Sequence, residues 1–171
     1  MFTRAGRAAL FDRKAFTDAF FDDDAMADGA IVVAVVGALT YLTLLTRLSR
    51  LDGFDLAALF QFVIAGVASW LILGFATWFA ATRIFKSSGR PQTLVAMHGL
   101  AALPLVLDAF GPPVSWAGLV WYLAILVVAT KEATELPYKN AGVAVLIGFV
   151  AAVILRALLR VPFAILGSAF V

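Results

Sequence analysis

The 171-residue chain contains no cysteine, which excludes disulfides, thiolate metal sites and thiol chemistry together. It has one histidine, His98, so no imidazole pair can hold a metal, and no metal or other cofactor is expected. Charged residues make up only 14% and the formal net charge is +2. No block of Lys and Arg is dense enough to suggest nucleic acid. No nucleophile stands beside a base and no glycine-rich phosphate loop is present, so the chain is not expected to be an enzyme. Hydrophobic residues, by contrast, reach 63%, with a mean hydropathy of +0.99. A soluble domain of this length could not bury that much apolar surface, so the sequence specifies an integral membrane protein with the bilayer as its first partner.

The apolar runs are continuous and rich in Leu, Ala and Val, without the alternation of barrel strands, which points to an all-α bundle of five transmembrane helices. They are expected at about 29–48, 56–84, 93–110, 114–130 and 141–160. Arg47, Arg50, Asp52, Gly53 and Asp55 close the first span as a polar loop, and the turn Phe85 to Pro91 closes the second. Pro104 lies within the third, which ends at Gly111-Pro112-Pro113 in a tight hairpin. The fourth, at 17 residues, would reach about 25 Å against a hydrocarbon core of roughly 30 Å, so the third and fourth need not both cross fully. Lys131, Glu132 and Glu135 are expected in the loop before the fifth span, and Pro162 is expected to break that last helix.

Residues 1–28 form a separate unit in this reading. Arg4 and Arg7 precede only a short apolar run before Asp12, Arg13 and Lys14, so no cleaved signal peptide is expected. Phe16 and Phe20 are one helical turn apart and suit a short amphipathic segment lying at the membrane surface. Orientation follows from the Lys and Arg near the span ends. With the N-terminus inside, nine of these residues lie on the inner side and four on the outer, which places the N-terminus in the cytoplasm and the C-terminus outside. The plasma membrane is the expected location.

The order of features resembles the Yip-one domain family, named for proteins that interact with Ypt and Rab GTPases, and is similar to its prokaryotic branch. The residues that carry the resemblance are Leu10-Phe11-Asp12 with Phe16 downstream, then Gly89 to Leu94 leading into Met97-His98-Gly99 and Pro104. Trp116 or Trp121 in the next helix, and Ala141 after Lys139, fit as well. The resemblance implies a five-helix fold, a cytoplasmic N-terminus and a helper or organiser role. The eukaryotic members use a longer cytosolic N-terminal region for GTPases. This chain lacks it, so GTPase binding is not carried over.

The polar groups at membrane depth are few. His98 is expected about five residues into the third span, where an ionisable group is either a relay or a structural hydrogen-bonding partner between helices. The structural role is favoured, since no second His or Cys accompanies it. Asp108 ends the third span, and Arg156 and Arg160 end the fifth on the same side, so an interhelical ion pair is expected there. Gly66 and Gly74 share a stripe with Trp70 and Trp78, while Ala144, Gly148 and Ala152 form another and Gly99 a third small site. Such stripes serve close packing within the bundle, or else self-association or a client helix. Phe16, Phe20, Lys86 and Arg90 are candidate docking residues for a membrane or cytoplasmic protein. The rival reading is a small oligomeric transporter or channel using His98 and Asp108.

Overall fold

In lipid a backbone N–H or C=O has no water to turn to, so each apolar run satisfies its own hydrogen bonds as a helix. The computed structural model describes residues 2–22, 24–47 and 54–169. Two short helices, α1 (Phe2–Ala9) and α2 (Arg13–Phe20), precede α3 (Ala25–Arg47) and α4 (Leu56–Arg83). The chain continues through α5 (Pro91–Leu100), a 3-10 segment (Leu103–Phe110), α6 (Val114–Thr134) and α7 (Tyr138–Ala169). Five stretches are long and apolar enough to cross a membrane: 25–45, 56–83, 91–110, 114–134 and 138–155. The protein is a five-span helical bundle.

The ends of these elements have local causes. Asp55 caps α4 by accepting the Ala57 N–H at 2.8 Å. The Tyr41 hydroxyl clamps the same corner, donating to the Asp55 carbonyl at 2.8 Å and accepting its N–H at 2.9 Å. Pro91 occupies the first turn of α5, where its missing N–H costs nothing. Gly111 closes the 3-10 segment with φ at 70°, a left-handed value that glycine adopts without penalty. The polar loop at 48–53 lies outside the described residues.

Three expectations are corrected. The third span is not one α-helix: it passes from α to 3-10 winding across Ala101 and Ala102, where Pro104 removes a donor from the next turn. The fourth is longer than expected at 21 residues, or about 31 Å, enough for the hydrocarbon core. Lys131 and Glu132 are therefore in its last helical turns rather than in a loop, and Glu135 caps it with φ at 57°. The fifth helix runs through Pro162 to Ala169. Proline within an apolar helix costs one backbone bond, and membrane helices tolerate that interruption.

The N-terminal segment forms the two short helices α1 and α2, which pack against α5, the 3-10 segment and α6. Ala5, Ala8, Ala15 and Phe16 are fully buried in the same core as Leu94, Ile125 and Leu126. The boundary expected between residues 28 and 29 falls inside α3.

Candidate functional site

His98 is fully buried where α5 faces α6, and its Nε2 lies 3.0 Å from Thr130 Oγ1. Thr130 is also fully buried, and its carbonyl accepts the Thr134 hydroxyl at 2.6 Å. One ring nitrogen is thus tied to a neighbouring span, while Nδ1 is buried with no hydrogen-bond partner. Gly99, the next residue, meets Gly29 of α3: a Cβ on Gly99 would stand 2.6 Å from the Gly29 Cα. Backbone touching backbone explains why both positions are glycine.

The other small residues also serve contacts within the bundle. A Cβ on Gly74 would come within 2.7 Å of the Val95 side chain. One on Gly148 would strike the Thr77 hydroxyl and the Leu73 carbonyl of α4. Ala144 and Ala152 are buried. Gly66 differs, with only Val33 near it at 3.9 Å. Tryptophan indoles fix the register of these crossings: Trp70 Nε1 donates to the Val95 carbonyl at 2.9 Å and Trp78 Nε1 to that of Gly89 at 2.8 Å.

Asp108 is exposed at the far end of the 3-10 segment and lines a partly open cavity of about 360 Å³. The cavity is bounded by α3, α4, the 3-10 segment, α6 and α7, and His98 is not among its lining residues. The two polar candidates therefore do not share a site. The side chains of Arg156 and Arg160, the expected partners of Asp108, lie outside the described residues.

At the other end of the bundle, the docking candidates separate. Phe16 is fully buried, so it is a core residue and is closed to an outside partner. Phe20 remains 43% exposed and lines a small notch of about 110 Å³ with Ser88, Gly89, Arg90, Glu132 and Glu135. Lys86 and Arg90 are both exposed on the turn between α4 and α5. That turn is held firmly: the Gly89 carbonyl accepts Trp78, and the Ser87 N–H donates to the Ala81 carbonyl at 3.1 Å. Lys86 itself adopts φ of 56°.

The arginines of the N-terminal helices are paired. Arg4 meets Asp22 at 2.6 Å and Asp28 at 3.4 Å, and Arg7 meets Asp12 at 2.7 Å and Asp18 at 3.2 Å. The Arg7 hydrogen bond is the main cause that holds the Asp12 carboxyl below its ordinary range, and the Arg4 hydrogen bond does the same for Asp22. Arg13 reaches Glu132 at 3.6 Å and donates to the Tyr138 hydroxyl at 3.0 Å, joining α2 to the ends of α6 and α7. Trp121 Nε1 donates to the Ala9 carbonyl at 2.9 Å.

Two features escaped the sequence reading. Gly29 was read as the start of a span and is instead a crossing point. The alanines at 5, 8, 9, 15 and 19 stand at helical spacing and mark a packing face, a signal that the neighbouring charges mask. Among the described residues no group of His, Cys, Asp or Glu is arranged to hold a metal.

No curated protein and no solved structure matches the chain. A family model does match, that of the Yip1 domain, over residues 8–159. The matched stretch takes in α2, all five spans and the buried His98, and with it the chain belongs to the Yip1 domain family.

Proposed function

We propose that this protein is a non-enzymatic organiser of membrane components, belonging to the prokaryotic branch of its family. It acts in the plasma membrane with the N-terminus in the cytoplasm and the C-terminus outside. Its partner is a membrane or cytoplasmic protein, and Rab-type GTPase binding is left out of the proposal. The observation that carries it is the pinned turn between α4 and α5, which presents Lys86 and Arg90 to solvent, with Arg90 and Phe20 in one notch. Arg90 beside an exposed aromatic ring, in a notch that also holds Glu132 and Glu135, with Lys86 exposed on the same turn, suits a peptide that offers charges of both signs and an apolar side chain. Gly74, Gly99 and Gly148 are engaged inside the bundle, which favours this face over them as the docking surface.

The rival is a small oligomeric transporter or channel using His98 and Asp108. The unpartnered Nδ1 of His98 favours it. A relay, however, needs a polar path between the two, and His98 lies outside the cavity that Asp108 lines. In-cell crosslinking of the tagged protein, gentle solubilisation and quantitative mass spectrometry test the proposal. A stoichiometric partner lost from the Lys86→Glu/Arg90→Glu variant is the expected result. Recovery of the protein alone, with a reconstituted flux that His98→Ala abolishes, would establish the rival instead.

A further inference from the structure

The cavity at the Asp108 end is hollow because of the residues around it. Gly37, Gly66, Ser69, Ala102 and Ala152 line it from three helices and the junction before the 3-10 segment, in places where larger apolar side chains would fill the space. Beside the cavity the packing is tight, since the bare Cα of Gly118 lets α6 close onto Pro104 and Leu107 of the 3-10 segment: a Cβ there would stand 2.8 Å from each. The volume of about 360 Å³ falls in the range of small-molecule sites. The Ser69 hydroxyl in its wall is buried without a hydrogen-bond partner.

The open side and the chemistry of the rim point to one kind of occupant. Trp116 of α6 is 65% exposed and Val153 of α7 is 51% exposed, and both line the cavity. The cavity therefore opens sideways between two spans, where the surrounding medium is lipid rather than water. Its walls are predominantly apolar, while Asp108 and Ser115 stand together at the span ends where headgroups lie. Among the described lining residues Asp108 is the one acidic group, and none of them is basic. An apolar chamber reached from the bilayer, with a carboxylate at the headgroup level, selects an amphiphile bearing an ammonium group.

We propose that this cavity binds one phospholipid with a primary-amine headgroup, its acyl chain between α4, α6 and α7 and its ammonium on Asp108. The site goes beyond the organiser reading, and loss of a protein partner from the Lys86 and Arg90 variants would leave it standing. The test uses the full chain in nanodiscs that contain equal amounts of dioleoyl phosphatidylethanolamine and dioleoyl phosphatidylglycerol, released into native mass spectrometry. One retained phosphatidylethanolamine per chain is expected, favoured over phosphatidylglycerol by about tenfold or more. Ala152→Phe should abolish retention by filling the chamber, and Asp108→Asn, at an exposed position, should keep a bound lipid but lose the headgroup preference. Circular dichroism confirms that each variant is folded. Retention equal for both lipids, or retention unchanged by Ala152→Phe in a folded protein, overturns the proposal, as does wild-type protein that carries no lipid.

Discussion

Replacing Gly99 by alanine adds one methyl group at the tightest described point between α3 and α5. That carbon would stand 2.6 Å from the Gly29 Cα and 2.8 Å from the Gly29 carbonyl carbon. Ordinary contact needs at least about 3.4 Å, and both obstacles are backbone, so no rotamer change relieves the clash. The helices must separate by about 1 Å, which loosens the neighbouring His98–Thr130 and Trp70–Val95 hydrogen bonds. Overpacking of this kind costs about 1–3 kcal/mol, against a gain of up to about 1 kcal/mol from alanine's better helix propensity. A net loss of about 1–2 kcal/mol corresponds to a thermal midpoint lower by about 2–8 °C for a chain of this size. The assay is circular dichroism on detergent-solubilised protein, with two controls. Gly142→Ala meets no atom within 4 Å and Gly66→Ala meets only Val33 at 3.9 Å, so both should match or exceed the wild type. A Gly99→Ala midpoint at or above that of Gly142→Ala would refute the reasoning.

Thr130→Val keeps the shape of the side chain but leaves both nitrogens of buried His98 without a partner. It should destabilise the fold by about 1–3 kcal/mol, and an unchanged midpoint would show that the pair contributes nothing. Acid should loosen the N-terminal helices against each other, since Arg4–Asp22 and Arg7–Asp12 both lie within that segment. The Asp12 and Asp22 carboxyls titrate below their unfolded value, so the stability they lend is present above about pH 4 and is lost as pH falls through the lower folded values. A nitroxide at exposed Thr17 should stay immobile from neutral pH to about pH 5 and gain mobility below about pH 4; loosening near pH 6 would point to another group. For orientation, a cysteine at Ser88 should resist a membrane-impermeant thiol reagent in intact cells while one at Phe54 reacts, and the reverse pattern would invert the topology. The absence of native cysteine makes both labels unambiguous.

The spans were legible because hydrophobic runs of sufficient length leave the chain few alternatives in lipid. Their ends were less so, since the groups that decide them lie elsewhere in the chain. Lys131 and Glu132 read as a loop by charge alone, yet Arg13 neutralises Glu132, and the Lys131 ammonium sits 5.1 Å from the centre of the Tyr138 ring. Those partners let α6 continue for another turn. Phe16 and Phe20 share a turn in sequence, but α2 turns Phe16 into the core and leaves Phe20 half outside. The core side is chosen by Ala15 and Ala19, which are small enough to bring α2 against α6. The buried state of His98 was readable, but its partner was not, because thirty-two residues separate His98 from Thr130 in the chain. The cavity was invisible for the same reason: its small residues come from separate helices, and Gly66 and Ala152 belong to stripes that read as packing faces.

The four tryptophans show how the two ends of the bundle differ. Apolar surface does not drive helices together in lipid, so directional bonds and close contacts must set the arrangement. Trp70, Trp78 and Trp121 each donate an indole N–H to a backbone carbonyl of another element: Val95, Gly89 and Ala9. An indole so placed fixes depth and rotation together, since moving either helix by one residue would carry the carbonyl out of reach. These three hold α4, α5, α6 and the N-terminal helices in one register. The result is a densely packed half, where glycine backbones touch and Phe16 and His98 are sealed. Trp116 makes no such bond among the described residues and lies 65% exposed at the mouth of the cavity. The cavity thus has the bonded indole of Trp70 in its wall and the unbonded one of Trp116 at its mouth. A lipid seated there would supply the packing that the chain leaves out, which makes occupancy of this cavity a means for the bilayer to set the spacing of α6 and α7.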